Sequence, residues 1–329
     1  MDHSPRKSIT SKHIAIVQTG LLGWWDGNAR DLPWRHTRNP YRILVAEVML
    51  QQTQVDRVVP YYHAWLDAFP NVAALASAPT ADVIRLWKGL GYNRRAVNLQ
   101  RAAVAVVERG GSFPETADEL VSLSGIGPYT AGAIACFAFE QDVAFIDTNM
   151  RRVLHRVFLG SEVPTRKASD REVLAIASEV IPPGDGWRWN QALIEFGALQ
   201  CTARLPACII CPLQQQCVAF PAILSDLQDH AKRKRGERGS TIPFEQTNRY
   251  FRGRIVDVLR DHDGNSIPLE ELGPMVKPGF EPGDVLWLTE LVVALERDGL
   301  TAVAEASPTY DAKDEPGAAA SGIRVSLPK

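Results

Sequence analysis

Two carboxylates, a glycine-bracketed turn and four crowded cysteines are where this sequence could do chemistry. Glu47 stands inside the apolar run Ile43–Leu50. Desolvation by such neighbours raises a carboxyl pKa, so the group can stay protonated near neutral pH and donate a proton. A boundary glutamate that pairs with an arginine has the same signature. Asp147 follows the apolar run Val143–Ile146 and opens a helix, where it can cap the backbone or act as a fixed negative charge. Gly125, Ile126 and Gly127 form a turn before Pro128, with backbone amides offered at a helix start, a surface suited to a phosphate. Cys201, Cys208, Cys211 and Cys217 can wrap one tetrahedral ion or one cubane, and spacing alone leaves zinc and iron–sulfur both open. The fifth cysteine, Cys136, lies among Ala and Phe and reads as core.

The elements that must position these groups are helices. Apolar residues recur at three and four spacings through Ile43–Val59, Val97–Val107, Thr130–Phe139, Val153–Leu159 and Trp189–Leu199, which predicts an all-α arrangement of about ten short helices over residues 14–230. With 329 residues the chain can bury a sizeable core, and a net charge of −2 gives no global sign of a polyanion partner, so any nucleic-acid face must come from charge segregation. No apolar run approaches the roughly 20 residues of a membrane span, the N-terminus lacks a signal core, and cysteine usage is not that of a disulfide framework. The expected place is the cytoplasm. A basic linker follows at 226–243, carrying Lys232–Lys234, Arg235 and Arg238. Residues 244–305 read as three helices and a terminal strand or hairpin, a small winged-helix-like module, and the Pro-, Gly- and Ala-rich tail 306–329 reads as disordered.

The cysteine spacing resembles the iron–sulfur loop of the endonuclease III-like DNA glycosylases, and Leu123, Gly125, Gly127, Thr130 and Ala131 resemble the helix–hairpin–helix of that superfamily. Leu32–Arg35, Glu47–Val55 and Gly89–Tyr92 are similar to MutY-type adenine DNA glycosylases, and the resemblance covers roughly residues 14–222. It implies a fold of two helical subdomains flanking a cleft, with residues near 40–145 in one and the termini and cluster region in the other. It implies a structural 4Fe-4S cluster on Cys201, Cys208, Cys211 and Cys217. The partner would be double-stranded DNA in the nucleoid, bound by a monomer, with no membrane involved. The activity implied is hydrolysis of the N-glycosidic bond of adenine mispaired with 8-oxoguanine or guanine, in base excision repair.

By that resemblance Glu47 protonates the leaving base and Asp147 stabilises the cationic sugar, with Tyr129 and Asn149 hydrogen-bonding around it. Trp34 and Arg35 line the base pocket, Gln52 and Tyr92 act as wedges, and Gly125 and Gly127 hold a phosphate beside Thr130. Where strand-cleaving relatives carry a Schiff-base lysine this chain has Tyr129, which implies a monofunctional enzyme. Arg94, Arg95, Arg151 and Arg152 are candidate phosphate contacts. Asn93 and Thr148 depart from the family pattern, and residues 244–304 are too short and helical to resemble the Nudix-like domain that inspects the oxidised guanine. Two alternatives stand beside this reading. A G/T mismatch thymine glycosylase shares several of the motifs, and a non-catalytic iron–sulfur DNA-binding module would not need both Glu47 and Asp147.

Overall fold

A computed structural model describes residues 9–163, 168–236, 242–262, 265–305 and 322–329. It is mainly helical, with twelve α-helices among the described residues up to Gly236. No helix among the described residues is long and apolar enough to cross a membrane. The chain divides into two compact units: Met1–Leu44, Pro114–Ser122 and Ile126–Gly239 form one, and Val45–Phe113, Leu123–Gly125 and Ser240–Lys329 form the other. Two features differ from expectation. Most of residues 114–145 belong with the cluster region, and the C-terminal segment belongs with residues 45–113.

In the first unit the Pro128–Phe139 helix is buried along Thr130–Phe137, the behaviour of a helix apolar on every side. Small residues permit that closeness: a Cβ on Gly132 would stand 2.6 Å from the Phe145 Cβ. The same unit holds a charge cluster. Glu195, fully buried in the Gly186–Leu199 helix, accepts Nε and Nη2 of Arg30 at 2.7 and 2.8 Å and Nη2 of Arg35 at 2.9 Å. Burial alone would raise its pKa, but the two guanidiniums outweigh burial and hold it at about 2. A depressed carboxyl stabilises the fold above its unfolded pKa near ~4.3 and loses that contribution as pH falls through the folded value. The wild-type protein is therefore expected to lose stability between roughly pH 4.3 and pH 2, and a Glu195→Gln variant to show a flatter acid limb in melting temperature against pH. At neutral pH the variant should be less stable by about 3 kcal/mol, because two guanidiniums lose their counter-charge.

In the second unit Trp65 and Trp87 are fully buried and meet edge to face at 5.4 Å. The C-terminal module has helices Asn248–Arg260, Leu269–Val276 and Val285–Arg297 and a three-stranded antiparallel sheet. The last strand, Ile323–Ser326, lies in the middle of that sheet, with Val325 opposite both Ile267 and Val303. The end of the chain is thus not a disordered tail. Val325 and Leu327 alternate inward and are buried, a period-two signal that the Pro-, Gly- and Ala-rich stretch before it concealed. Residues 306–321 lie outside the described residues. The linker expected at 226–243 is in its first part the end of the Ala222–Gly236 helix, and 237–241 are not described.

The module is not a bead on a tether. Ala81, Ile84 and Val97 of the Thr80–Leu86 and Arg94–Glu108 helices share one hydrophobic core with Ile255, Val256, Leu259, Leu291 and Leu300. The Arg260 Nε donates to the Ile84 carbonyl at 3.0 Å, and the Thr80 amide donates to the carbonyl of Lys329 at 3.4 Å.

Candidate active site

Asp147 is the N-cap of the Thr148–Phe158 helix. Its Oδ1 accepts the Met150 amide at 2.6 Å and its Oδ2 accepts Asn149 Nδ2 at 3.0 Å. The amide of Asn149 is itself oriented, since its Oδ1 accepts Arg152 Nη2 at 2.8 Å. Arg152 also donates to the carbonyls of Gly197, at 2.6 Å, and Cys201, at 2.8 Å. The carboxylate is therefore both a cap and the end of a built chain, Arg152 to Asn149 to Asp147. Burial raises its pKa, and the hydrogen bonds from Met150 and Asn149 oppose that rise. Gly197 completes the support, because any Cβ there would meet the Asn149 Cβ at 2.7 Å. The sequence marks Arg152 as a candidate phosphate contact rather than as a support for Asn149, and it does not mark Gly197, although a glycine inside the Trp189–Leu199 apolar run is a signal of close approach.

The hairpin preceding Asp147 runs from the short Ala117–Leu120 helix through exposed Gly125 and Gly127 to Pro128. Gly125 has φ +76°, and a Cβ would strike the Asn98 Cβ at 2.7 Å, so glycine is needed there twice over. Gly127 is the N-cap of the Pro128–Phe139 helix. Thr130 is buried on the first turn, and the half-buried ring of Tyr129 meets Phe145 edge to face at 5.5 Å.

In the second unit Glu47 is buried near the end of the Pro40–Leu50 helix, 6% exposed. Just beyond it Gln52 has φ +57°, and Tyr92 has φ +47°. Among the described residues only Glu140 also shows a non-glycine left-handed backbone, so both wedge candidates occupy strained positions. Arg95 holds both turns. Its Nη1 donates to the carbonyls of Val48, Met49 and Gln51 at 2.8, 3.2 and 2.6 Å, and its Nη2 to those of Leu90 and Gly91 at 3.0 and 3.1 Å. Burial pushes its guanidinium down to about 10, still protonated at neutral pH. Arg95 thus braces the two strained turns, its terminal nitrogens taken up by their carbonyls. An Arg95→Ala variant is expected to lose about 2–3 kcal/mol of stability, read by urea titration, and to release base more slowly than that loss explains.

Other expected groups are also internal. Arg151 donates to the Ala168 carbonyl at 2.6 Å and pairs with Asp170 at 2.5 Å, so neither it nor Arg152 is a free phosphate ligand. Trp34 is buried, and Arg35 is satisfied by Glu195, Gln191 and the Arg30 carbonyl while it lies 4.7 Å over the Trp25 ring. Cys136 is core, accepting from Asn190 Nδ2 at 3.3 Å.

The four remaining cysteines line one small apolar cavity with Arg156, Phe196, Leu213 and Phe220. Among the described residues no group of three or more His, Cys, Asp or Glu is arranged to hold a single metal ion. Arg156 sets a guanidinium 3.6 Å from the Cys201 sulfur and pairs with Glu162 at 2.6 Å. The loop is clasped to the helix that Asp147 caps, through Val218 N to Val157 O at 3.0 Å and Ala219 N to Arg156 O at 2.9 Å.

Comparison with known proteins fits these placements. Residues 45–179 match the HhH-GPD superfamily base excision DNA repair protein family, a span that includes Glu47, the hairpin and Asp147. An adenine DNA glycosylase of Mycolicibacterium smegmatis is 41% identical over 254 residues, 75% of this chain and 82% of that protein. The human adenine DNA glycosylase is 42% identical over 216 residues, 63% of this chain but 40% of that longer protein. Among solved structures, a thermostable thymine-DNA glycosylase superposes with a TM-score of 0.61 at 29% identity, covering 65% of this chain and all of that one. With both the hairpin–aspartate segment and most of a relative's length matched, the chain belongs to the adenine DNA glycosylase family, within the HhH-GPD base excision repair superfamily.

Proposed function

We propose that this protein is a monofunctional DNA glycosylase that removes adenine mispaired with 8-oxoguanine or guanine. The observation that carries the reading is Asp147, a carboxylate held on both oxygens at a helix start and backed by Asn149 and Arg152. The adenine-specific names of its relatives give the base. Gln52 and Tyr92, braced by Arg95, would fill the stack as the adenine is swung out, at a cost of a few kilocalories per mole. Trp34 and Arg35 would form part of the wall against the flipped base.

Glu47 gives its proton to a ring nitrogen of adenine as the bond from that base to C1′ breaks. The electron pair leaves with the base, and positive charge spreads over C1′ and the ring oxygen of the sugar. Asp147 stabilises that charge, electrostatically or as a transient adduct. Water adds to C1′ and gives up a proton, leaving adenine and an abasic site. Gly125 and Gly127 would hold a phosphate through backbone amides, which fixes register without reading sequence. Tyr129 supplies no amine for a Schiff base. Cys201, Cys208, Cys211 and Cys217 fit a 4Fe-4S cluster by donor type and by their shared cavity, and such a group would tie the end of the Gly186–Leu199 helix, next to Cys201, to the loop that follows.

A duplex carrying adenine opposite 8-oxoguanine tests the monofunctional part. Product should run as an intact strand until alkali is added, and borohydride should trap no covalent complex. A stable borohydride-trapped adduct would refute it. The likeness to a thymine-DNA glycosylase keeps thymine release from T:G as the second reading.

A further inference from the structure

The wedge loop is held from a second side that nothing above explains. Arg249 comes from the first turn of the Asn248–Arg260 helix in the C-terminal module, and its guanidinium lies 4.3 Å over the Tyr92 ring. Three turns along the same helix, Arg260 donates to Asn93 Oδ1 at 2.9 Å, and Arg260 is itself buried. Two consecutive loop residues, Tyr92 and Asn93, are thus gripped by one helix of the module. Next to them Arg94 and Arg252 both reach Asp298, at 3.2 and 2.5 Å, so a third link fastens the start of the Arg94–Glu108 helix to the module. These groups line one cleft, together with Arg254 and Phe244.

From this geometry we infer that Arg249 is a positioning residue for base flipping, acting through the Tyr92 ring. Tyr92 is 44% exposed with a left-handed backbone, and of the two guanidiniums that lie over its projecting ring, Arg95 at 5.6 Å and Arg249 at 4.3 Å, that of Arg249 is the nearer. A guanidinium this close to the ring restrains its pose by cation–π attraction and keeps it presented for the DNA stack. Asn93 has a matching reason for being polar: its side-chain oxygen is the acceptor for Arg260. The module, docked through a shared core with residues 81–97, is rigid enough to transmit that hold. The inference rests on Tyr92 being the wedge.

The test is a double-mutant cycle on full-length protein, with single-turnover adenine release as one readout. The second readout is the fluorescence of 2-aminopurine placed next to the target adenine, which rises when the stack opens. Arg249→Ala should slow release about threefold to fivefold, in line with an exposed cation–π contact. It should lower the fluorescence rise and leave melting temperature unchanged, since Arg249 is a surface residue. Arg249→Lys, which keeps a cation, should recover most of the loss. In a Tyr92→Ala background, Arg249→Ala should add nothing. Additive effects in the cycle would overturn the inference and mean that Arg249 touches DNA directly. Wild-type flipping by Arg249→Ala beside impaired flipping by Tyr92→Ala would also overturn it. Wild-type flipping by Tyr92→Ala itself would instead remove the wedge reading on which it rests.

Discussion

Asp147→Asn is expected to lower base release by about 10³-fold or more, while the melting temperature stays within a few degrees of wild type. The two halves of that result come from the same geometry. An uncharged amide cannot balance the positive charge that develops on the sugar, so the rate falls. As a helix cap, however, Asn serves nearly as well as Asp, and its oxygen can still accept the Met150 amide. Burial raises the Asp147 pKa above its unfolded value, which means the ionised carboxylate is less at home in the fold than in the open chain. That penalty is present at neutral pH and disappears as pH falls through the raised folded value. Removing the charge therefore recovers stability at neutral pH. Against this, one amide hydrogen would face Asn149 Nδ2, a cost on the order of 1 kcal/mol. A variant that is inactive and also grossly unfolded would mean that Asp147 is a structural cap and little else. The raised pKa has a kinetic corollary: the acid limb of wild-type activity should fall at a pH above that of an ordinary aspartate.

Glu47→Gln should cost about 10²–10⁴ in the rate of adenine release, with duplex binding unchanged. The substitution keeps size and polarity at a site only 6% exposed, so the packing of its surroundings is expected to survive. What is lost is an acidic proton for a poor leaving group. Because that proton moves in the transition state, the loss should appear in the single-turnover rate and not in affinity. Equal losses in binding and rate would place Glu47 in a structural role instead. The two carboxyl variants also differ in stability: Asp147→Asn removes a charge that the fold raises, whereas Glu47→Gln is not expected to stabilise the protein.

How much of this was legible in the sequence depends on the range of each interaction. Local signals carried well. The spacing of the cysteines, the Gly125–Gly127 turn and the cap position of Asp147 are properties of neighbouring residues, and the structure has the cysteines around one cavity and Asp147 at a helix start. The two roles weighed for Asp147, cap and charge, are compatible rather than competing. Long-range roles did not carry. Arg95 looks like half of a solvated Arg pair, yet it bonds to carbonyls more than 40 residues away. Arg151 and Arg152 look alike, but one faces Asp170 and Ala168 while the other aligns Asn149. Glu195 shows no sequence sign of its partners Arg30 and Arg35, which are 165 and 160 positions upstream. The strand Ile323–Ser326 is hard to read because the composition bias just before it outweighs a short alternating pattern.

Whether adenine is the base released can be read from one side-by-side measurement. Purified protein is given matched duplexes carrying A opposite 8-oxoguanine, A opposite guanine and T opposite guanine, and the base released under single-turnover conditions is identified. Free adenine is expected from both adenine-containing duplexes and no thymine from the third. Thymine released from T:G as fast as adenine from either other duplex would contradict it.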